Sequence, residues 1–182
     1  MFGRVISGLI HHFDKIRYKG HPVEYARHLG VKIGEDCKIH ADPETCFSTE
    51  PFLISIGDHV LITNGVRFLT HDGSGFLLSY KEEKAYYDIW GPIKIGNNVY
   101  IGTNVIILPN VSICDNVIIA AGAVVSKNII DDGVYVGVPA KRIKSYNQYK
   151  KSVLEKAVNN YGMNFEERKL KYYKLHPEWF NM

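Results

Sequence analysis

The chain has 182 residues, 46% of them hydrophobic, and a formal net charge of +3. That is enough for one domain with a buried core, and too apolar for a disordered protein. No run of roughly 18 apolar residues occurs, which excludes stable insertion as a membrane-spanning helix. The three cysteines, Cys37, Cys46 and Cys114, contain no CxxC. This argues against a disulfide framework or a cysteine zinc cluster and suits a reducing, cytoplasmic setting. The charge is uneven: residues 1–140 hold 12 Lys/Arg against 15 Asp/Glu, and residues 141–182 hold 10 against 4. No nucleic-acid motif accompanies the basic end, so it reads as a solvated helical surface rather than a nucleic-acid site.

Residues 1–30 are expected to form a helical segment. The apolar patch Val5–Ile10 is short and lacks a small-residue cleavage site, so it is read as a surface helix and not as a secretory signal. In HPVEYARHLG, Pro22 suits a helix start and Gly30 a helix end.

From Ile33 the chain counts in sixes: IGEDCK, IHADPE, then IGDHVL and ITNGVR from Ile56. From Ile95 come six consecutive units, IGNNVY, IGTNVI, ILPNVS, ICDNVI, IAAGAV and VSKNII. An aliphatic residue opens each of these six. Another aliphatic residue or alanine stands fifth, and Asn or, once, Gly122 stands fourth. A period of six does not fit a helix of about 3.6 residues per turn, but it fits a short strand plus a corner. Places one and five share a strand face, while Asn and Gly tolerate the positive φ of tight corners. Stacked coils of this kind give a parallel β-helix of hexapeptide repeats over residues 31–143.

Residues 69–92 break the count and are expected to leave the prism as an extruded loop. Its Phe76, Leu77, Leu78, Tyr80, Tyr86, Tyr87, Ile89 and Trp90 are too apolar for simple disorder, so the loop should dock on its own prism or on a neighbouring subunit. His71 and Asp72 stand where it departs, and a histidine can accept a proton near neutral pH. The tail, residues 144–182, has helical spacing from about 146 to 159 and from 165 to 175, with Gly162 between.

The run IGNNVYIGTNVIILPNVSICDNVIIAAGAVV followed by VYVGVPAKRIK resembles the hexapeptide-repeat acyltransferases that use acetyl-CoA. FSTEPFLISIGDHV and GVRFLTHDGSG are similar to their O-acetyltransferase subgroup of polysaccharide biosynthesis, with relatives that acetylate antibiotics. The resemblance spans roughly residues 30–143 and implies a left-handed coil, a hand that periodicity alone does not give. It also implies a homotrimer with active sites between subunits, and direct attack of a sugar hydroxyl on acetyl-CoA with His71 as general base. A weak hydroxyl nucleophile needs such a base, and two substrates held in line save association entropy.

By the same resemblance Gly102, Ala120 and Ala121 match small residues beside the pantetheine arm. Pro139, Lys141 and Arg142 match positions near the adenine and phosphates, where cations suit an anionic cofactor, and Lys127 is a further candidate to help there. The small residues have an equal reading as corners. Tyr100 departs from the tryptophan of many relatives. Glu50 is a candidate to contact the acceptor or orient His71, Asp72 to orient the imidazole, Asn64 to bind substrate or simply turn a corner, and Trp90 to stack on a sugar ring or pack the loop. No metal is expected.

Other readings stay open at this point. The same chemistry could act on a xenobiotic or on the nitrogen of an amino sugar. A zinc hydrolyase of this fold needs three convergent histidines, and His40, His59 and His71 stand singly. A non-catalytic scaffold would need no base at the loop.

Overall fold

A computed structural model describes residues 13–80 and 87–180. The Val5–Ile10 patch and Tyr86 lie outside the described residues. Residues 13–17 are helical, followed by α1, Pro22–Leu29, which has proline in its first turn and ends on Gly30 at φ 109°. Only glycine adopts that angle without a steric penalty.

Among the described residues fifteen short strands follow, and most of them wind into a prism with three walls. The first wall stacks β1 (Lys32–Ile33), β3 (Ile54–Ile56), β8 (Ile93–Ile95) and β11 (Ser112–Ile113). The second stacks β2 (Lys38–Ile39), β4 (Val60–Ile62), β9 (Val99–Ile101), β12 (Val117–Ile119), β14 (Gly133–Val136) and β15 (Lys141–Lys144). The third stacks β5 (Arg67–Phe68), β10 (Ile106–Ile107) and β13 (Val124–Val125). All these pairings are parallel except that of β14 with β15.

Register places like on like. Ile62, Ile101 and Ile119 form one column, and Phe68, Ile107 and Val125 another. Both columns are essentially fully buried, which removes the aliphatic places of the repeat from water. The middle residues of the strands point outward. On the first wall these are Ser55, Lys94 and Ser112, in register; on the second they are Leu61, Tyr100 and Ile118.

The corners explain the fourth place of the hexad. Asp36, His59, Asn98, Asn104, Asn110 and Asn116 all have φ between 53° and 64°, and Gly65 and Gly122 have 72°. An ordinary L-residue pays about 1–2 kcal/mol there. The third place adds a ladder along one edge. The backbone N–H of Glu35 donates to Asp58 Oδ1, that of Asp58 to Asn97 Oδ1 and that of Asn97 to Asp115 Oδ1, at 2.8, 2.8 and 2.6 Å. Corner N–H groups that the strands leave unpaired are satisfied in this way.

One hexad departs from the count. After β2, Asp42 has φ −71° and accepts a hydrogen bond from the N–H of Glu44, opening the short helix α2, Pro43–Cys46. Proline lacks an N–H and has its φ fixed, so IHADPE starts a helical turn where a corner and strand were expected. The chain then crosses to β3 through a turn at Pro51–Leu53. This detour carries Thr49 and Glu50.

The prism is closed at both ends. α1 packs on β1 and β2 through buried Tyr25 and Ala26. At the other end β15 runs antiparallel along β14 and covers its edge, as an open strand edge requires. The tail forms α3, Tyr146–Leu154, and α4, Phe165–Leu175, the latter opened by a capping box between Asn164 and Glu167. The chain divides into two compact units that meet between Tyr149 and Lys150, within α3.

Candidate active site

The site forms where the extruded loop leaves the third wall. Leu69 is still part of that wall, its N–H donating to Ile107 O at 2.9 Å. The arm departs at β6, His71–Asp72, which pairs antiparallel with β7, Ile89–Trp90, so that Trp90 stands opposite His71. The Gly91 N–H donates to Thr70 O at 2.8 Å and closes the base of the arm. Beneath it Phe47 and Phe68 stack at 5.4 Å, both fully buried. One aromatic pair thus anchors the two segments that bear the polar groups above it.

Those groups form a tight cluster. His71 Nδ1 lies 2.8 Å from Glu50 Oε2. The Thr70 hydroxyl donates to the same oxygen at 2.6 Å, and the Thr49 hydroxyl donates to Oε1 at 2.6 Å. Glu50 is 9% exposed and Thr70 fully buried. Burial by itself raises the Glu50 carboxyl, but donation from Thr49, Thr70 and His71 outweighs it and holds the group below the usual carboxylate range. An ionised carboxylate only accepts, so Nδ1 is the donor, and in the neutral ring the lone pair is on Nε2. The His71 side chain is 30% exposed and within reach of a ligand. The arrangement is a base held by a buried anion, able to take a proton at Nε2 and to stabilise the resulting imidazolium.

The other candidates divide. Asp72 turns away from the imidazole: its Oδ1 accepts from the Ser74 N–H at 2.9 Å, which holds its carboxyl low. Asn64 is an exposed corner residue whose carbonyl accepts from the Asn104 N–H. Trp90 is half exposed beside His71. Gly102 is buried between coils, where a Cβ would lie 2.6 Å from the Ala121 nitrogen and 2.8 Å from Ile119 O. Ala120 bonds to the next coil through its N–H, and Ala121 is exposed. Lys127, Pro139 and Lys141 are exposed around the far end of the third wall, where the Ala140 N–H donates to Val124 O at 2.8 Å. Arg142 is engaged, with Nη2 2.9 Å from Asp132 Oδ1. Register carries Phe68 to Val125 through Ile107, which puts Lys127 two coils, roughly 10 Å, along the axis from the base, while Lys141 and Arg142 lie further on, on β15 beyond β14.

Sequence reasoning missed Thr49 and Thr70. Their only sequence signal is a hydroxyl immediately before each of the two ionisable residues, in STE and LTH. Among the described residues no group of three or more His, Cys, Asp or Glu could hold a metal ion. His59 is committed to Asp36 at 2.7 Å and His71 to Glu50, so these two imidazoles do not converge. In a groove of about 240 Å³ on the second wall, between His59, Tyr100, Tyr146 and Tyr149, Asn98 bonds to Asn116 and Tyr146, and His59 to Asp36.

Comparison with known proteins agrees with this architecture. A six-repeat bacterial transferase hexapeptide family model matches residues 92–127. Protein CapG of Staphylococcus aureus is 41% identical over 158 residues, 87% of this chain and 91% of its own. The chain belongs to the hexapeptide-repeat acyltransferase family. Among solved members, a galactoside acetyltransferase in complex with coenzyme A is 32% identical with a TM-score of 0.52, over 67% of this chain and 58% of that one. A hexapeptide-repeat acetyltransferase of Vibrio cholerae is 25% identical with a TM-score of 0.52, over 70% and 81% of the two chains. The fold is therefore the family's left-handed parallel β-helix, with the hexads as its coils and the arm as its extruded loop.

Proposed function

We propose that the protein transfers an acetyl group from acetyl-CoA to a hydroxyl of a sugar or glycan precursor, with His71 as general base. The observation that carries this reading is the hydrogen bond between His71 Nδ1 and the buried Glu50 carboxylate, which leaves Nε2 as the proton acceptor. The acceptor hydroxyl attacks the thioester carbonyl as its proton passes to Nε2. The tetrahedral intermediate then collapses, breaking the carbon–sulfur bond, and the imidazolium returns the proton to the departing CoA thiolate. Glu50 stabilises the positive ring in between, and no acyl-enzyme forms.

The galactoside acetyltransferase relative, with its bound coenzyme A, supports the donor and a sugar acceptor. Lys127 and Lys141 supply cations for the CoA phosphates, and Trp90 a flat apolar face beside the base for a sugar ring. The arm exposes Phe76, Leu77, Leu78 and Ile89. A surface of that kind suits burial against a neighbouring prism, which supports the reading of a homotrimer with the acceptor bound between subunits. An acceptor screen that follows CoA thiol release across sugars, nucleotide sugars, amino sugars and antibiotics tests the reading. Turnover confined to amines would replace O-acetylation by N-acetylation, and no turnover with any acceptor would favour a non-catalytic role.

A further inference from the structure

We propose that Thr70 is a positioning residue that locks the Glu50–His71 pair to the base of the arm through both its hydroxyl and its carbonyl. As a claim about rate this rests on His71 being the base; as a claim about geometry it does not.

Thr70 is fully buried. A buried hydroxyl is costly unless it is bonded, and valine would fill the same volume without that cost. The hydroxyl here has one partner of consequence, Glu50 Oε2 at 2.6 Å, the oxygen that also receives His71 Nδ1 at 2.8 Å. With Thr49 on Oε1, the two oxygens become inequivalent and the carboxylate cannot turn about its own axis without breaking three bonds. The carboxylate plane is thereby fixed, and with it the direction in which Nε2 points. The Thr70 carbonyl meanwhile accepts the Gly91 N–H at 2.8 Å, where the returning strand of the arm re-enters the prism. His71 follows directly and pairs with Trp90. Thr70 therefore ties three parts into one rigid unit: the detour bearing Glu50, the imidazole, and the arm. Without its hydroxyl, Glu50 retains charge and burial but is held only by Thr49 and by the imidazole it should fix, and the imidazole is aimed less firmly.

The test uses the full chain labelled with ¹⁵N-histidine, with the His71 signal assigned by its loss in His71→Ala. In the wild type the Nδ1 proton of His71 should give a sharp, slowly exchanging downfield resonance. In Thr70→Val that resonance should broaden or vanish. The kcat should fall about 10- to 100-fold, the loss one hydrogen bond to a charged group represents, with KM values little changed. Thr70→Ser should restore both. Thr70→Ala provides the same reading should the valine chain not fold. An unchanged Nδ1 resonance in Thr70→Val overturns the proposal whatever the rate does. Loss of the resonance with unchanged kcat upholds the positioning and overturns the assignment of His71 as base.

Discussion

Glu50 and His71 are 21 residues apart in the chain and joined by one hydrogen bond of 2.8 Å. The bond exists because the detour after β2 lays Glu50 beside the residue at which the arm departs. Glu50→Gln keeps the shape and an accepting oxygen but removes the charge that stabilises the imidazolium. We expect kcat to fall about 10- to 100-fold in a folded protein, since hydrogen bonds to charged groups are the stronger class. Steady-state kinetics with acetyl-CoA and a saccharide check this. An unchanged kcat would reduce Glu50 to packing.

The same carboxylate makes stability depend on pH. Its folded-state value lies below its ordinary one, the three donors overcoming burial. A depressed carboxyl contributes stability above its unfolded value, and that contribution is lost as pH falls through the folded value. The wild type should therefore melt higher than Glu50→Gln near neutral pH, and the gap should shrink as the medium becomes strongly acid. Melting curves of the two proteins over an acid series measure it. A gap independent of pH would mean that the donors do not favour the charged form.

Gly102 tests the coil stacking. Its place in the repeat suits a corner and also a cofactor surface, and the structure puts backbone of the next coil within 3 Å of any added Cβ. Gly102→Ala must push two coils apart, so it should cost about 1–3 kcal/mol, the range of overpacked cores. Denaturant titration reads this directly. Full stability with a raised KM for acetyl-CoA would make Gly102 a cofactor residue only.

Lys127 and Lys141 are exposed cations toward the far end of the prism and take no part in the Glu50 cluster. Replacing both by alanine should raise the KM for acetyl-CoA several-fold, leaving kcat and the acceptor KM near wild type, because uniform binding is lost and no step of the chemistry is touched. Arg142, held by Asp132, should have a smaller effect on KM and a larger one on stability. Equal effects on both substrates would place the cofactor elsewhere.

The prism was legible because each coil repeats one physical demand: an aliphatic residue inside and a residue tolerant of positive φ at the corner. Asn98, Asn104, Asn110 and Asn116 meet that demand in sequence and in space. IHADPE also showed its departure, since Asp-Pro-Glu is a helix start, but the hexad count masked it. The role of Glu50 was harder to read. Its spacing from His71 spans a turn and the three strands β3, β4 and β5, and only the winding of a full coil turns that spacing into contact. Asp72, adjacent in sequence, was a second candidate, although adjacent side chains often point elsewhere. The geometry of β6 sends its carboxylate to Ser74 instead. Thr70 carried no signal that separates a bonded hydroxyl from an ordinary wall residue.

The central claim is that His71 takes the proton of an acceptor hydroxyl. CoA thiol release from acetyl-CoA, measured with one saccharide acceptor for wild-type and His71→Ala proteins of equal secondary structure and oligomeric state, tests it most directly. The variant should lose at least about 100-fold in kcat, the lower range of general-base catalysis, and still bind acetyl-CoA. A variant that turns over at the wild-type rate would contradict the claim.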